Sequence, residues 1–157
     1  MLNPSFNKNI KGIIKKLNFP MYCVILDKRY VCTCRDENNT PDAGCPKCLG
    51  TGYKIKIRKI VAAMEPESES SRTKGVAKTT TNTYYFDADT VPPDVPQIDN
   101  RIVREDEVDI LMYPRKYRSD SNKVIYYYSV SAPLRTHKRI FLENFWKLVH
   151  KNSGTHG

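Results

Sequence analysis

Residues Cys32 to Tyr53 read C-T-C-R-D-E-N-N-T-P-D-A-G-C-P-K-C-L-G-T-G-Y and hold four of the five cysteines of a 157-residue chain. The spacing is C-x-C, ten residues, then C-x-x-C, with Gly50 and Gly52 just behind the second pair. Four thiolates can surround one tetrahedral Zn²⁺ at roughly 2.3 Å. A Cys-x-x-Cys knuckle turns tightly enough to aim backbone N–H groups at sulfur, and a residue behind the turn with positive φ favours glycine. Pro46 presets φ on the way in, and Gly44 is expected to serve the approach to Cys45. The ligand set expected is therefore Cys32, Cys34, Cys45 and Cys48. With all four positions taken by thiolates, no site is left for water or substrate, so the metal is expected to hold the fold. Two alternatives stay open, a pair of disulfides and four unligated thiols. Cys23 is the substitute ligand if Cys32 or Cys34 points away, although its apolar surroundings from Met21 to Leu26 also suit a small buried hydrophobe.

Outward from the knuckle, Met21 to Val31 reads as one bent strand or a tight hairpin, interrupted at Asp27-Lys28-Arg29. Tyr53 to Met64 alternates Tyr53, Ile55 and Ile57 against Lys54, Lys56 and Arg58, the pattern of a strand with a wet basic face. The metal would then clip the tips of two strands. Upstream, Asn3-Pro4 suits a helix start, and Phe6, Ile10, Ile13, Ile14 and Leu17 share one helical face, which predicts an amphipathic N-terminal helix over residues 1–20. Downstream, 65–75 has no apolar residue and is expected to form an exposed arm. Val76 to Phe86 returns to strand composition. Asp87 to Asn100, with Pro92, Pro93 and Pro96, must be an extended connection. Arg101 to Met112 fits strand-turn-strand or a single helical turn, and Lys123 to Ser131 is a strand with Tyr126 and Tyr128 on one face and Tyr127 on the other. Lys138 to His150 fits either strand or helix, and 151–157 is expected to be a disordered tail.

The fold class expected is mainly β (α+β): a small β-sandwich or barrel-like body with an N-terminal helix and a four-cysteine zinc knuckle. One domain is divided into the helix (1–20), the knuckle strand pair (21–64), the arm, strand and Pro-rich connection (65–100), a β-rich C-terminal part (101–150) and the tail (151–157). The net charge of +9 is uneven. Residues 1–60 carry 12 Lys/Arg and 4 Asp/Glu, residues 61–157 carry 14 and 13. Such asymmetry suits a polyanionic partner, nucleic acid or an acidic protein surface, and also a merely solvated face. Lys54, Lys56, Arg58 and Lys59 are the candidate phosphate contacts. No apolar run reaches the ~20 residues that span a bilayer, so no membrane association is expected. The three histidines lie late and without catalytic spacing, and no phosphate-binding or zinc-protease motif occurs, so neither an enzyme nor a small-molecule substrate is expected.

The segment C-P-K-C-L-G-T-G, 45–52, matches one C-x-x-C-x-G-x-G unit of the cysteine-rich domain of DnaJ-type co-chaperones, which needs four such units. A wider match is to small structural proteins of tailed bacteriophages. The nine residues C-P-K-C-L-G-T-G-Y resemble the knuckle that some neck, head-to-tail connector and baseplate proteins join to a β-rich body. The charged turn Arg104 to Asp109 and the strands at Lys116-Tyr117-Arg118 and Tyr127 to Val130 resemble the layout of those proteins. The resemblance implies a non-enzymatic virion component, made in the host cytoplasm and acting as a ring or adaptor beside other virion proteins. It implies Cys45 and Cys48 as ligands with Cys32 and Cys34 upstream, and allows DNA contact in a channel. The lysine-rich strand at 54–59 departs from that pattern. The competing readings are a nucleic-acid-binding zinc-ribbon protein and a zinc-dependent chaperone-like module.

Overall fold

The computed structural model describes residue 12, residues 16–66 and residues 81–154. Its elements are β1 (Phe19–Val31), β2 (Tyr53–Pro66), β3 (Asn82–Asp87), β4 (Arg101–Arg104), β5 (Glu107–Leu111), β6 (Arg115–Arg118), β7 (Val124–Pro133) and one C-terminal helix, α1 (Lys138–Gly154). Every strand pairing is antiparallel. The order β3-β2-β1-β4-β5-β7 is closed by a β3–β7 pairing, which makes a six-strand barrel with β6 carried as an extra strand on β7.

Side-chain alternation sorts the strands into an inside and an outside. Met21, Cys23 and Ile25 of β1, Ile60 and Ala62 of β2, Tyr84 and Phe86 of β3, Ile102 of β4 and Leu111 of β5 fill the barrel. Val91 and Val95, from the Pro-rich connection, join the same core. That connection is irregular, as its prolines require, but it packs inward at these two valines and at Asn100 instead of standing off the body. Asn100 fixes it: its amide donates to the carbonyls of Asp94 and Val95 at 2.9 and 2.8 Å, and its Oδ1 accepts the Leu26 N–H at 3.0 Å.

The outer face of β1 and β4 carries Val24, Leu26, Val103 and Val108 of β5, and α1 lays Phe141 and Phe145 across it. This explains why Met21 to Leu26 reads as an unbroken apolar run: both faces are covered. Each buried Phe contributes about 2–3 kcal/mol of transfer free energy. A polar group sits inside the barrel beside Tyr84. The Tyr84 hydroxyl donates to Asp109, which also accepts from Asn82 at 3.0 Å and from Arg104 at 3.3 Å, while Arg104 Nε donates to the Tyr84 hydroxyl at 2.8 Å. Burial, then the Asp109 carboxylate, push the Tyr84 phenol well above its ordinary range.

The helix expected over 1–20 is not borne out. Most of that stretch lies outside the described residues, and Phe19 and Pro20 already belong to β1. Most of the arm expected at 65–75 also lies outside them, while Glu65 and Pro66 extend β2 and pair with Thr83 and Asn82. Lys138 to His150 is helical, and α1 continues through Gly154 into the segment expected to be a tail. Arg101 to Leu111 is strand-turn-strand, with Glu105 at φ 52° in the turn. Tyr126 and Tyr128 share the outer face with Tyr85 and Tyr117, and Tyr127 packs toward the interior. Among the described residues no helix is long and apolar enough to cross a membrane.

Candidate metal centre

The knuckle joins β1 to β2. Cys32 follows the last residue of β1, and its N–H donates to the carbonyl of Gly52, the residue before β2, at 2.9 Å. The two strands are thus closed at their tips. Between them the loop is folded by its own aspartates. Asp36 Oδ1 accepts the N–H groups of Asn38 and Thr40 at 2.8 and 3.0 Å, and Asp42 Oδ1 accepts that of Gly44 at 3.0 Å. The second turn is tighter: Leu49 N–H donates to Cys45 O at 3.0 Å, and Gly52 N–H donates to Cys48 Sγ at 3.4 Å. Gly50 and Gly52 have φ of 80° and 82°, as expected, and Leu49 is also left-handed at 57°. Leu49 tolerates that backbone because its side chain is anchored under α1 with Val24 and Val103. Gly44 has no positive φ, and a Cβ there would make ordinary contacts at 3.7 and 3.8 Å, so its backbone does not require glycine.

The sulfur atoms of Cys32, Cys34, Cys45 and Cys48 all lie within 4.8 Å of one another. Cys32–Cys45 is 3.8 Å and Cys34–Cys48 is 3.5 Å. A tetrahedral ion about 2.3 Å from each sulfur would set neighbours about 3.8 Å apart, whereas a disulfide needs about 2.05 Å. All five cysteines are free thiols, so the disulfide alternative fails. Cys23 lies in the barrel core, away from the cluster, and its thiol approaches the Val95 carbonyl at 4.0 Å. Burial pushes its pKa far up. Cys23 is therefore not the substitute ligand.

The surroundings fit a metal ion held by thiolates. Burial pushes the Cys48 thiol up to about 12. Burial also opposes ionisation of Cys45, but the N–H groups of Cys48 and Lys47 outweigh it and bring that thiol down to about 7. A cation would deprotonate such ligands outright. Two arginines flank the knuckle. Arg35 donates to Gly52 O at 2.9 Å and to Asn39 O at 3.2 Å, and it lies 4.7 Å over the Tyr53 ring. Arg101 of β4 is held partly inside, its Nε buried without a partner among the described residues. Burial pushes its pKa down, opposed by Asp99 and then by Cys48. A four-thiolate centre around a divalent cation would carry a net charge of about −2, which a partly buried guanidinium complements. Arg35 stands next to Cys34 in sequence. No spacing signal announces Arg101, which reaches the knuckle only through the β1–β4 pairing.

Three of the four candidate nucleic-acid residues share one face of β2 and the fourth does not. Lys54, Lys56 and Arg58 alternate with Ile55 and Ile57 along β2, and Ile55 and Ile57 pack toward α1. Arg58 and Lys56 oppose the interior residues Cys23 and Ile25. They therefore line the mouth of the barrel, and Lys59, opposite Tyr22, faces the other way. Lys56 is paired with Asp94 at 3.1 Å, and Lys54 lies 5.4 Å over Tyr30. Fold and site together define a small antiparallel barrel with a knuckle of four close cysteines that could hold a metal ion. The chain matches no protein-family model and no curated protein sequence.

Proposed function

We propose that the protein is a non-enzymatic structural virion component of a tailed phage, acting as a ring or adaptor in the head-to-tail connector region and stapled by one zinc ion. The observation that carries this reading is the closed ligand set at the junction of three elements. Four thiolates leave no open coordination position. The loop that bears them joins β1 to β2 and accepts a hydrogen bond from α1, where the Asn144 amide donates to Gly44 O at 3.2 Å. Zinc is the ion that soft tetrahedral thiolate sites commonly take. A metal so placed fixes the relative position of strands and helix, which suits a part that must present fixed surfaces to neighbours. The C-P-K-C-L-G-T-G-Y resemblance supplies the virion assignment.

Elemental analysis of the purified protein, paired with light scattering, tests this. One zinc per chain, with a ring-sized or partner-dependent assembly, supports the reading. Absence of zinc removes its organising element. A zinc-bound monomer that binds DNA with a steep salt dependence moves the protein to the nucleic-acid class.

A further inference from the structure

Leu111 is the last residue of the β5–β6 run with a backbone neighbour on the β4 side among the described residues. Its N–H donates to Asn100 O at 2.9 Å, and its carbonyl accepts the Asp99 N–H at 2.8 Å. Before Asp99 the chain leaves that line, through a tight turn in which Gln97 N–H donates to Val95 O at 2.9 Å and Asp99 sits at φ 72°. The run itself goes on through Tyr113 and Pro114 into β6, whose only strand neighbour among the described residues is β7.

The orientation of this open side follows from register. Val130 O accepts the Met112 N–H at 2.9 Å, so Val130, Tyr128 and Tyr126 turn their backbone groups toward β5 and β6. Tyr128 and Tyr126 are opposite Arg115 and Tyr117. By alternation Lys116 then directs its N–H and carbonyl to the open side. A cleft of about 1030 Å³, lined by β1, β2, Pro96 and Ile98, reaches Pro114, the residue before β6.

We infer that this slot takes an extended polypeptide segment with alternating carboxylate and apolar side chains, added as a strand beside β6 in line with β4. The charge is complementary. The cleft walls carry Lys28, Arg29, Lys54 and Lys56 against Asp27 and Asp94. Asp27 is held by Arg29 at 2.9 Å and Asp94 by Lys56 at 3.1 Å, while Lys28 pairs with Asp99 at 2.6 Å. Beyond Pro114, Arg115, Lys116 and Arg118 are all exposed. Ile98, Met112 and Tyr113 are exposed apolar groups at the rim. An added strand would place its side chains on alternate faces, carboxylates to Lys54, Arg115 and Lys116, which carry the positive charge left over by those ion pairs, and apolar groups to this rim. A phosphodiester strand could use the charges but not the ladder or the apolar rim. The same basic residues would otherwise serve only to keep an edge strand from pairing.

The probe is a fluorescein-labelled eight-residue peptide alternating glutamate and valine, titrated with the full chain and followed by polarisation. Binding in the range of about 10–100 μM is expected. N-methylation at alternate residues on the pairing edge should weaken it about tenfold or more, as should the double change Lys116→Glu and Arg118→Glu. Circular dichroism checks that the variant is folded, and hydrogen exchange of the parent complex should show new protection at Lys116. Absence of saturable binding to about 1 mM would overturn the inference. So would equal binding of the methylated peptide, or a single-stranded oligonucleotide binding more tightly than the parent peptide. Neither the probe nor the variants touch the cysteines, so the outcome is independent of the metal reading.

Discussion

At Gly52 a Cβ would stand 2.6 Å from an Arg35 guanidinium nitrogen, on a backbone at φ 82°. Both the left-handed strain and the displaced arginine act against any side chain there. Gly52→Ala should cost about 1–2 kcal/mol in denaturant unfolding and weaken metal retention against a chelator. Gly44→Ala, with contacts no closer than 3.7 Å and no positive φ, should change both little. The five thiols offer a second test, since Cys23 is buried in the barrel and its ionisation pushed far up. Alkylation at about pH 8 should label none of the five in metal-loaded protein, the knuckle four after chelation, and Cys23 only on unfolding. Labelling of Cys23 in folded protein would contradict its placement. The four cysteines and two of the three glycines were legible because their chemistry fixes spacing and φ locally. Leu49 and Arg101 were not. The first is left-handed because its side chain is held under α1, and the second matters through a strand pairing about 50 residues away from the knuckle in sequence.

The strands show how far local pattern carries. β2 alternates as expected, yet its apolar side chains at 55 and 57 face a helix outside the barrel, and Lys54, Lys56 and Arg58 line the mouth. Alternation fixes which residues share a face but not which face is inside. β1 is one strand, its register slipping between Asp27 and Val31, where Arg29 is bound to Asp27. For 138–150 the same apolar residues satisfied both periods, and helix was decided by a surface supplied elsewhere, Val24, Val103 and Val108. This docking makes a strong prediction. Phe145 is fully buried, stacked on Phe141 at 6.2 Å between ring centroids and edge-on to Trp146 at 5.0 Å. Phe145→Ala should therefore cost about 3–5 kcal/mol in equilibrium unfolding. Arg139→Ala on the same helix, at a side chain 94% exposed whose ion pair with Glu143 spans 3.4 Å, should cost under about 0.5 kcal/mol. Equal costs would mean that the helix does not dock on this face.

Barrel and sandwich could not be told apart from the sequence, because closure rests on Thr83 to Asp87 pairing with Val130 to Tyr126, a contact between segments far apart in the chain whose register no local signal states. That closure lies away from the knuckle, and it divides the molecule into parts of different dependence on metal. The barrel core and the Tyr84–Asp109–Arg104 group contain no ligand residue. The knuckle, by contrast, has a short irregular loop, Leu49 under α1, and the Asn144–Gly44 hydrogen bond. A structural thiolate site is worth up to about 10–16 kcal/mol of apparent folding free energy, far more than such a loop can supply by its own hydrogen bonds. Removing the metal should thus release Cys32 to Gly52 and loosen α1 while β3 and β7 keep their ladder. Native-state hydrogen exchange, before and after chelation under reducing conditions, reads this directly. Protection should fall at Leu49, Thr51 and the α1 amides, stay at Tyr84 to Phe86 and Tyr127 to Ser129, and return on adding zinc. Loss of protection throughout would make the metal a condition of the barrel itself, and no change anywhere would mean that the four thiols hold their loop without an ion.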